Sequence, residues 1–337
     1  MKLATFIPEN SRTARLGALL SNGETLADLA GAARAGQGKA PAFLSDAIRL
    51  MEAGEKGLDH ARKALDFAER ERPESAVHDL SAVRLLAPVP RPRTLRDCLA
   101  FEEHLINATQ TVLSWRSPVL AAANRWARKI SGRPLVGPPR VWYEIPIYYM
   151  GNPDTVVGQE ADILWPRYTK MLDYELEFGI FIGREGKDIP RDRAMEHVFG
   201  YTVYNDFSAR DIQMREMAGR LGPAKGKSFD TSNALGPYLV TADEVPDPYN
   251  LAMEARINGE VWSSGSSAGM HHRFADIIAH ISMSETLHPG DFIGSGTVGG
   301  GCGLELDRWL KPGDVVELTV GNLGTLRNRV VREEKGT

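Results

Sequence analysis

Apolar and acidic residues alternate at the start of the stretch 172–183 and then give way to a run of aromatic and aliphatic residues. Alternation with a period of two is typical of a β-strand whose successive side chains lie on opposite faces. Glu175 and Glu177 are two residues apart, so the pattern predicts that both side chains project from one face of a strand. Two carboxylates held this close repel each other, and a shared proton or a bound cation relieves the repulsion. The pattern therefore makes this strand the floor of a candidate metal site.

Similar patterns predict the other elements of the chain. In the first 86 residues they predict two short strands and then two helices, at residues 3–7, 16–20, 42–51 and 58–70. From residue 142 onward they predict six strands, at residues 145–149, 174–182, 198–205, 238–241, 252–257 and 315–320. Two helices are expected among these strands, at residues 207–216 and 273–282. Because strands and helices do not alternate regularly, the pattern disfavours a doubly wound parallel sheet and predicts a β-rich α+β domain.

A proline-rich joint at residues 86–93 separates the two regions. Prolines at every second position favour an extended linker over a helix or a central strand. We therefore expect two domains, with a small N-terminal accessory domain of structural role over residues 1–86 and a second domain over residues 87–337.

The segment after the joint is expected to be helical. Thr94 or Asp97 is a suitable cap for a helix rich in Ala, Leu and Glu. Seven positions are close to two helical turns, so Asp97 and His104 would share a face of that helix. A further amphipathic helix is predicted at residues 112–130, either as a core or interface helix or as a lid beside a pocket.

Composition narrows the class of protein. The chain has 337 residues, 42% of them hydrophobic, and a net charge of −4, so it can bury a large core and carries no basic stripe for nucleic acid. The first ten residues turn polar too soon for a signal peptide, and no uncharged apolar run is long enough for a membrane span. Cys98 and Cys302 are too few for a disulfide framework, which favours a reducing cytoplasm, and Cys302 is expected to be a buried or loop thiol rather than a nucleophile.

Four acidic residues are the candidate ligands, at Asp97, Glu175, Glu177 and Asp206. A set of carboxylates without His or Cys suits a hard divalent cation such as Mg²⁺, Mn²⁺ or Ca²⁺. Two structural interpretations compete with this one. Asp206 stands where a strand is expected to end and a helix to begin, so it could cap that helix. Two glutamates at this spacing also occur on exposed strand faces.

Four separated motifs help to decide between a metal site and these structural interpretations. They are Asp97 with a histidine seven residues later, Leu-Asp-Tyr-Glu-Leu-Glu at 172–177, Asn-Asp-Phe-Ser-Ala-Arg-Asp-Ile-Gln at 205–213, and Gly-Lys-Ser-Phe at 226–229. Their order and approximate spacing resemble the motif set of the fumarylacetoacetate hydrolase family, over roughly residues 85–331. The resemblance implies a mixed β-sandwich roll as the catalytic domain. It also implies that one divalent cation, Mg²⁺ or else Mn²⁺ or Ca²⁺, is bound by Asp97, Glu175, Glu177 and Asp206.

The resemblance further implies a catalytic pair. His104 would be polarised by Glu305 and would activate water, and a carboxylate partner suits this role because it fixes the tautomer of the imidazole. Other residues would bind a carboxylate-bearing substrate and stabilise the charge that forms, namely Arg210, Gln213, Lys227, Tyr149 and Thr297. Arg210 and Gln213 are three apart and share a helix face, although a salt bridge to a neighbouring acid is the commoner fate of such an arginine.

The chain also departs from the family pattern. Leu99 and Met217 stand where the family's hydrolase has tyrosines near the substrate, and the segment between His104 and Tyr149 differs. A less polar acyl group in the substrate would suit these side chains.

The expected function is that of a divalent-metal-dependent hydrolase that cleaves a carbon–carbon bond in a 1,3-diketo acid of the acylpyruvate or fumarylacetoacetate kind. The alternative is isomerisation, hydration or decarboxylation of a 2-oxo acid at the same metal–enolate site. A non-catalytic carboxylate-binding or scaffold protein is a third interpretation. The resemblance also implies a homodimer, and the expected partner is a small keto acid in the cytoplasm, with no membrane or nucleic acid.

Overall fold

Strands and helices alternate irregularly in the structure, a computed structural model that describes residues 1–9 and 11–332. The first third of the chain contains β1 (Lys2–Pro8), β2 (Arg15–Leu19), β3 (Thr25–Asp28), α1 (Leu29–Gln37), α2 (Ala47–Glu52), α3 (Gly54–Glu71), β4 (Val77–Asp79), β5 (Val83–Leu85), β6 (Leu95–Cys98) and α4 (Glu102–Arg116). The middle contains α5 (Pro118–Ser131), α6 (Arg140–Glu144), β7 (Tyr148–Gly151), β8 (Val156–Val157), β9 (Asp162–Trp165), β10 (Leu172–Asp173), β11 (Leu176–Ile182), β12 (Gly186–Lys187), β13 (Val198–Asp206), β14 (Ser208–Ala209) and α7 (Arg210–Ala218). The last third contains β15 (Asn233–Thr241), β16 (Ala252–Ile257), β17 (Glu260–Ser266), α8 (Phe274–Ile281), β18 (Thr286–Leu287), β19 (Phe292–Gly294), α9 (Gly303–Leu306), β20 (Val315–Val320) and β21 (Gly324–Arg332).

Two sheets form the framework. A 12-stranded sheet has the order β4-β3-β2-β1-β15-β13-β11-β19-β6-β7, with β5 beside β1 and β8 beside β15. A five-stranded sheet has the order β17-β16-β20-β21-β9. Apolar side chains of β11, β16 and β20 meet in one buried cluster between the sheets, which includes Phe178, Met253 and Leu318. This mixed, strand-rich arrangement confirms the predicted β-rich α+β class.

Helix α8 packs against this core through one apolar face, which is visible in its sequence. Phe274, Ile277, Ile278 and Ile281 recur at helical spacing and are all buried. Such a stripe faces the core of a globular protein, and burying each side chain stabilises the fold by about 1.5–3 kcal/mol.

Sheet hydrogen bonds cross the predicted domain boundary. Strand β1 pairs antiparallel with β15, with Leu3 opposite Leu239. The division into residues 1–86 and 87–337 stays a prediction, and residues 333–337 of its second part lie outside the described residues.

The predicted helix around Asp97 is wrong. Asp97 lies on β6, which pairs with β19 on one side and β7 on the other, and helix α4 begins only at Glu102. Helix propensity is a weak local preference, and pairing with two strands outweighs it here. Asp97 and His104 therefore do not share a helix face. They approach the same site from a strand and from the first turn of the next helix.

The helix predicted at residues 112–130 is two helices. Helix α4 ends at Arg116, and α5 begins at Pro118. Proline suits the first position of a helix and disfavours helical backbone in the residue before it. Ser117 caps α5 by accepting a hydrogen bond from the Leu120 N–H at 3.3 Å. In the part of the chain that is described, no helix is both long and apolar enough to cross a membrane.

Candidate active site

The strand predicted at residues 174–182 is interrupted at its start. Strand β10 ends at Asp173, and β11 begins at Leu176. Between them, Glu175 makes an isolated antiparallel bridge with Cys302. Glu175 and Glu177 nevertheless line the same cavity, so the expectation that they lie on one side of the chain holds despite the break.

Adjacent strands bring the four predicted metal ligands together. Strand β19 pairs with β6, which carries Asp97, and with β11, which carries Glu177. Asp206 is the last residue of β13, the neighbour of β11. One carboxylate oxygen from each of Asp97, Glu175, Glu177 and Asp206 lies within 4.8 Å of the others, and all four residues are buried. The two structural interpretations do not hold. Glu175 and Glu177 do not lie on an exposed strand face, because both are buried. Asp206 does not cap a helix, because α7 begins at Arg210 without a side-chain cap.

Two of the four carboxylates are neutralised by basic side chains. Lys227 Nζ contacts Glu175 and lies 2.6 Å from Asp206 Oδ2, while Arg210 Nη2 lies 2.8 Å from Glu175 Oε1. Burial disfavours ionisation of Glu175, but Arg210 and Lys227 outweigh it and hold its pKa below the usual range. Burial raises the pKa of Asp206 to about 6 against the opposing charge of Lys227. The Tyr149 hydroxyl donates to Asp206 Oδ2 at 2.7 Å.

The other two carboxylates receive hydrogen bonds but no basic partner in the described structure. The Gly296 N–H donates to Asp97 Oδ1 at 3.2 Å and to Glu177 Oε2 at 3.0 Å, and the Thr297 hydroxyl donates to Glu177 Oε1 at 3.2 Å. Burial raises the pKa of Asp97 well above its ordinary value, and the charge of Asp206 raises it further. Burial, followed by the charge of Asp97, likewise raises the pKa of Glu177. The like charges that the sequence predicted are thus present, and proton uptake is one way to relieve them.

The donor set fits a hard divalent cation. It consists of carboxylate oxygens, which such cations prefer. Asp206 Oδ1 is buried and has no hydrogen-bond partner among the described residues, although a buried polar atom is costly when it is left unpaired. A cation held by Asp97, Glu175, Glu177 and Asp206 would give that oxygen a partner. It would also balance the charges of Asp97 and Glu177, which have no basic partner among the described residues. The structure therefore supports a metal site of the predicted residues.

The predicted pair of His104 and Glu305 is formed although the two residues are 201 positions apart. His104 Nδ1 lies 2.7 Å from Glu305 Oε1. Glu305 also accepts hydrogen bonds from Asn107 Nδ2 at 3.0 Å and from the N–H groups of Gly300 and Gly301 at 2.6 and 3.2 Å. Because these donors stabilise the carboxylate form, we assign the proton to His104 Nδ1, which leaves Nε2 as the basic nitrogen.

Asp173 is a site residue that the sequence reasoning missed. Its carboxylate accepts hydrogen bonds from Arg210 Nε at 2.8 Å and from the N–H groups of Gly303 and Leu304 at 2.7 and 3.0 Å. It thus links Arg210 to α9, the short helix that carries Glu305. The signal was present, because the alternation that pairs Glu175 with Glu177 includes residue 173 as well.

A cavity of about 640 Å³ lies over these groups. Most of the predicted site residues line it: Asp97, His104, Tyr149, Glu175, Glu177, Arg210, Gln213, Lys227 and Thr297. Asp206 and Glu305 are held behind this lining by their contacts with Lys227 and His104. Leu99 and Met217 line the cavity too, as their positions in the motif set implied. The catalytic and substrate-binding roles of the lining residues stay predictions.

Arg210 is already paired inside the protein. Besides its contacts with Asp173 and Glu175, its Nη1 donates to Gln213 Oε1 at 2.9 Å. The predicted shared face of Arg210 and Gln213 is present, and so is the salt bridge that was its structural alternative. Cys302 is buried, with its Sγ 3.5 Å from Glu305 Oε1, and burial raises the pKa of its thiol. A protonated, buried thiol agrees with the expectation that Cys302 is not a nucleophile.

Comparison with known proteins gives a consistent family assignment. The family model described as fumarylacetoacetate (FAA) hydrolase C-terminal matches residues 123–331. The oxaloacetate tautomerase YisK of Bacillus subtilis (strain 168) is 32% identical over 288 residues, which are 84% of this chain and 85% of that protein. The mitochondrial oxaloacetate tautomerase fahd2 of Xenopus laevis is 31% identical over 332 residues, 98% of this chain and 90% of that protein. The structure of a fumarylacetoacetate hydrolase from Exiguobacterium antarcticum is similar over 99% of this chain and 100% of that one, with a TM-score of 0.70 and 27% identity.

These relatives correct the expected activity. A hydrolase that acts on carbon–carbon bonds was predicted, and this is wrong, because the curated relatives that match most of the chain are oxaloacetate tautomerases. A tautomerase moves a proton and breaks no carbon–carbon bond. The motif set could not separate the two reactions, since both were expected at the same metal–enolate site.

Proposed function

This chain belongs to the fumarylacetoacetate hydrolase family, and on that premise we propose that it interconverts the keto and enol tautomers of a 2-oxo acid, with oxaloacetate as the first substrate to test. The names of the two curated relatives support this choice of reaction and substrate. It falls within the alternative that the sequence left open, isomerisation of a 2-oxo acid.

The observation that carries the proposal is the orientation of His104. Its Nδ1–H is engaged by Glu305, so Nε2 is the nitrogen available to a molecule in the cavity that His104 lines. A neutral imidazole suits proton abstraction near neutral pH, and Glu305 stabilises the imidazolium that forms.

The proton transfer balances within one substrate molecule. His104 Nε2 takes a proton from the carbon next to the keto group, the electron pair of that C–H bond becomes the second bond of the new carbon–carbon double bond, and the π pair of the keto C=O bond moves onto its oxygen. The protonated imidazole then gives a proton to the former keto oxygen. The two reacting atoms are separated by one carbon, so a single histidine can serve both.

The acidic cluster supplies the second requirement of the reaction. A divalent cation held by Asp97, Glu175, Glu177 and Asp206 would polarise the keto oxygen and make the neighbouring C–H group more acidic. Arg210 and Lys227 prepare the site for it, because they favour the ionised form of Glu175 although it is buried. We propose Mg²⁺, with Mn²⁺ or Ca²⁺ as alternatives, and calorimetric titration of the three ions would rank them.

The function is tested with His104→Ala. The assay follows the loss of enol absorbance after enol-rich oxaloacetate is diluted into buffer with Mg²⁺. Loss of a general base should lower the rate by about 10²–10⁴-fold. His288→Ala is the matched control, because His288 also pairs with a glutamate, Glu185, at 3.0 Å but does so on the surface.

Three outcomes would contradict the proposal. A wild-type rate equal to that of buffer would remove the function itself. An unchanged rate in His104→Ala would remove the assigned base. Release of carbon dioxide as fast as the enol disappears would indicate a decarboxylase instead. On the same family premise we propose a homodimer, which light scattering would show as twice the chain mass of 37.0 kDa.

A further inference from the structure

Arg220 stands in the lining of the active-site cavity, at the turn that follows helix α7. We propose that Arg220 binds the second carboxylate of a dicarboxylic 2-oxo acid and thereby selects diacids over 2-oxo acids with an uncharged tail. This inference rests on the proposed function, because it names the substrate class of the same site.

The cavity lining contains few cationic residues. Besides His104, they are Arg210, Lys227 and Arg220. Arg210 is held by Asp173 and Glu175, and Lys227 is held by Glu175 and Asp206. Both are buried, and their charges are used to balance those carboxylates.

Arg220 differs from the other two in its environment. Its side chain is exposed and makes no hydrogen bond or ion pair with any of the described residues. Its five N–H donors are therefore free for a ligand, and a guanidinium is well suited to a carboxylate because two parallel hydrogen bonds can form. Of the three side chains, Arg220 alone has no carboxylate partner among the described residues, so its whole charge is available to an anionic group.

Arg220 lies at the end of the cavity toward which the far end of a substrate would extend. At the inner end of the cavity Arg210 and Lys227 pair with Glu175 and Asp206, so neither side chain is left with an unbalanced charge for a second carboxylate of the substrate. Helix α7 has Arg210 at its inner end and rises about 12 Å over its nine residues to Ala218. Arg220 follows at the outer end. A substrate whose keto group lies near the acidic cluster would direct its far end toward Arg220.

The other exposed side chains at the outer end of the cavity are apolar. Met150, Met217 and Leu221 line the cavity there, and all three are exposed. Their side chains offer no hydrogen-bond donor to a carboxylate. A charged tail would therefore depend on Arg220, whereas an uncharged tail would contact the same apolar side chains without it.

The test compares oxaloacetate with its 4-ethyl ester, which keeps the 2-oxo acid and its enol but loses the far negative charge. Binding is measured by calorimetry with Mg²⁺ present, and tautomerisation by enol absorbance. We expect Arg220→Ala to lower the affinity and kcat/KM for oxaloacetate by about 10–100-fold, the loss of a hydrogen-bonded charge pair, and to change both by less than about twofold for the ester. Arg220→Lys should restore part of the preference for the diacid.

Arg215→Ala is the matched control. Arg215 lies on the same helix and is exposed, but it does not line the cavity, so its removal changes the net charge equally without touching the substrate. Its preference for the diacid should equal that of the wild type. If Arg220→Ala kept the wild-type preference for the diacid, the proposal would be overturned. Equal binding of the diacid and the ester by the wild type would overturn it too.

The binding measurement separates this inference from the proposed function. If the wild type binds the diacid more tightly than the ester, Arg220→Ala removes that difference, and neither tautomerisation is accelerated, then the reaction is wrong and Arg220 is still the carboxylate site. If the wild type accelerates both equally and binds both equally, the reaction stands and the role of Arg220 is wrong.

Discussion

Replacing Asp173 with asparagine should damage both stability and catalysis, because Asp173 joins two parts of the site. Its carboxylate accepts three hydrogen bonds, two from the backbone N–H groups at the start of α9 and one from Arg210. It is completely buried, so no water can replace a lost acceptor. The amide of asparagine is nearly the same size but has one acceptor oxygen instead of two.

The loss can be estimated from these contacts. Whichever way the amide turns, its NH₂ group faces at least one N–H donor, and leaving that donor unpaired costs about 1–3 kcal/mol. Arg210 loses a charged partner as well, for about 1.5–3 kcal/mol, although Glu175 still contacts it. We expect the free energy of unfolding to fall by about 3–5 kcal/mol, the range for breaking a buried ion pair. A shift of Glu305 on α9 by about 1 Å would lower kcat by about 100-fold.

The measurements are urea unfolding followed by fluorescence, and the tautomerase assay on the folded protein. Asp154→Asn is the control, because Asp154 also pairs with an arginine, Arg91, at 2.6 Å, but both side chains are about two-thirds exposed. An exposed pair contributes less than about 1 kcal/mol. If Asp173→Asn loses no more stability than Asp154→Asn and keeps its kcat, the linking role of Asp173 is refuted.

Three further predictions test other parts of the site. Glu177→Gln removes one of the crowded charges, so the metal-free variant should be at least as stable as the wild type. It should need at least about tenfold more Mg²⁺ than the wild type for the same rise in melting temperature. An equal rise at equal Mg²⁺ concentration would contradict the role of Glu177 as a ligand. Gly296→Ala places a Cβ 2.3 Å from the Cys98 carbonyl oxygen at a φ of +80°, so the free energy of unfolding in urea should fall by about 2–4 kcal/mol. Gly23→Ala is the control, because Gly23 has a φ of +71° in open space, and its free energy of unfolding should fall by only about 1–2 kcal/mol. Cys302→Ser should keep kcat within about threefold, because the buried thiol is no nucleophile, and loss of turnover in a folded variant would overturn that assignment.

Part of the site could be predicted because its signal is local. The spacing of Glu175 and Glu177 is enough to place both carboxylates on one side of an extended chain, since the period of a strand follows from backbone geometry. The choice of a hard divalent cation followed from the chemistry of the carboxylates alone. The β-rich class followed in the same way from the succession of apolar patterns, and the structure confirms it.

Local patterns could not show which elements would meet, and it was the resemblance to the family that brought the four carboxylates together and paired His104 with Glu305. Asp97 was expected on a helix and lies on β6, because its place is fixed by pairing with β19, almost 200 residues further along the chain. The role of Asp173 was missed for the same reason, since its hydrogen-bond donors belong to Arg210 and to the start of α9.

The sequence by itself determined the local placement of Glu175 and Glu177, and its resemblance to the family supplied the other candidate groups, namely two further carboxylates and one histidine with a distant glutamate. Only the tertiary structure decided which charges are balanced within the protein and which remain for a ligand. Lys227 and Arg210 are paired with buried acids, whereas the Arg220 side chain has no hydrogen-bond or ion-pair partner among the described residues. The physical reason is that residue types and backbone periods are local properties, while the electrostatic environment of a buried charge is the sum over side chains from several strands and helices.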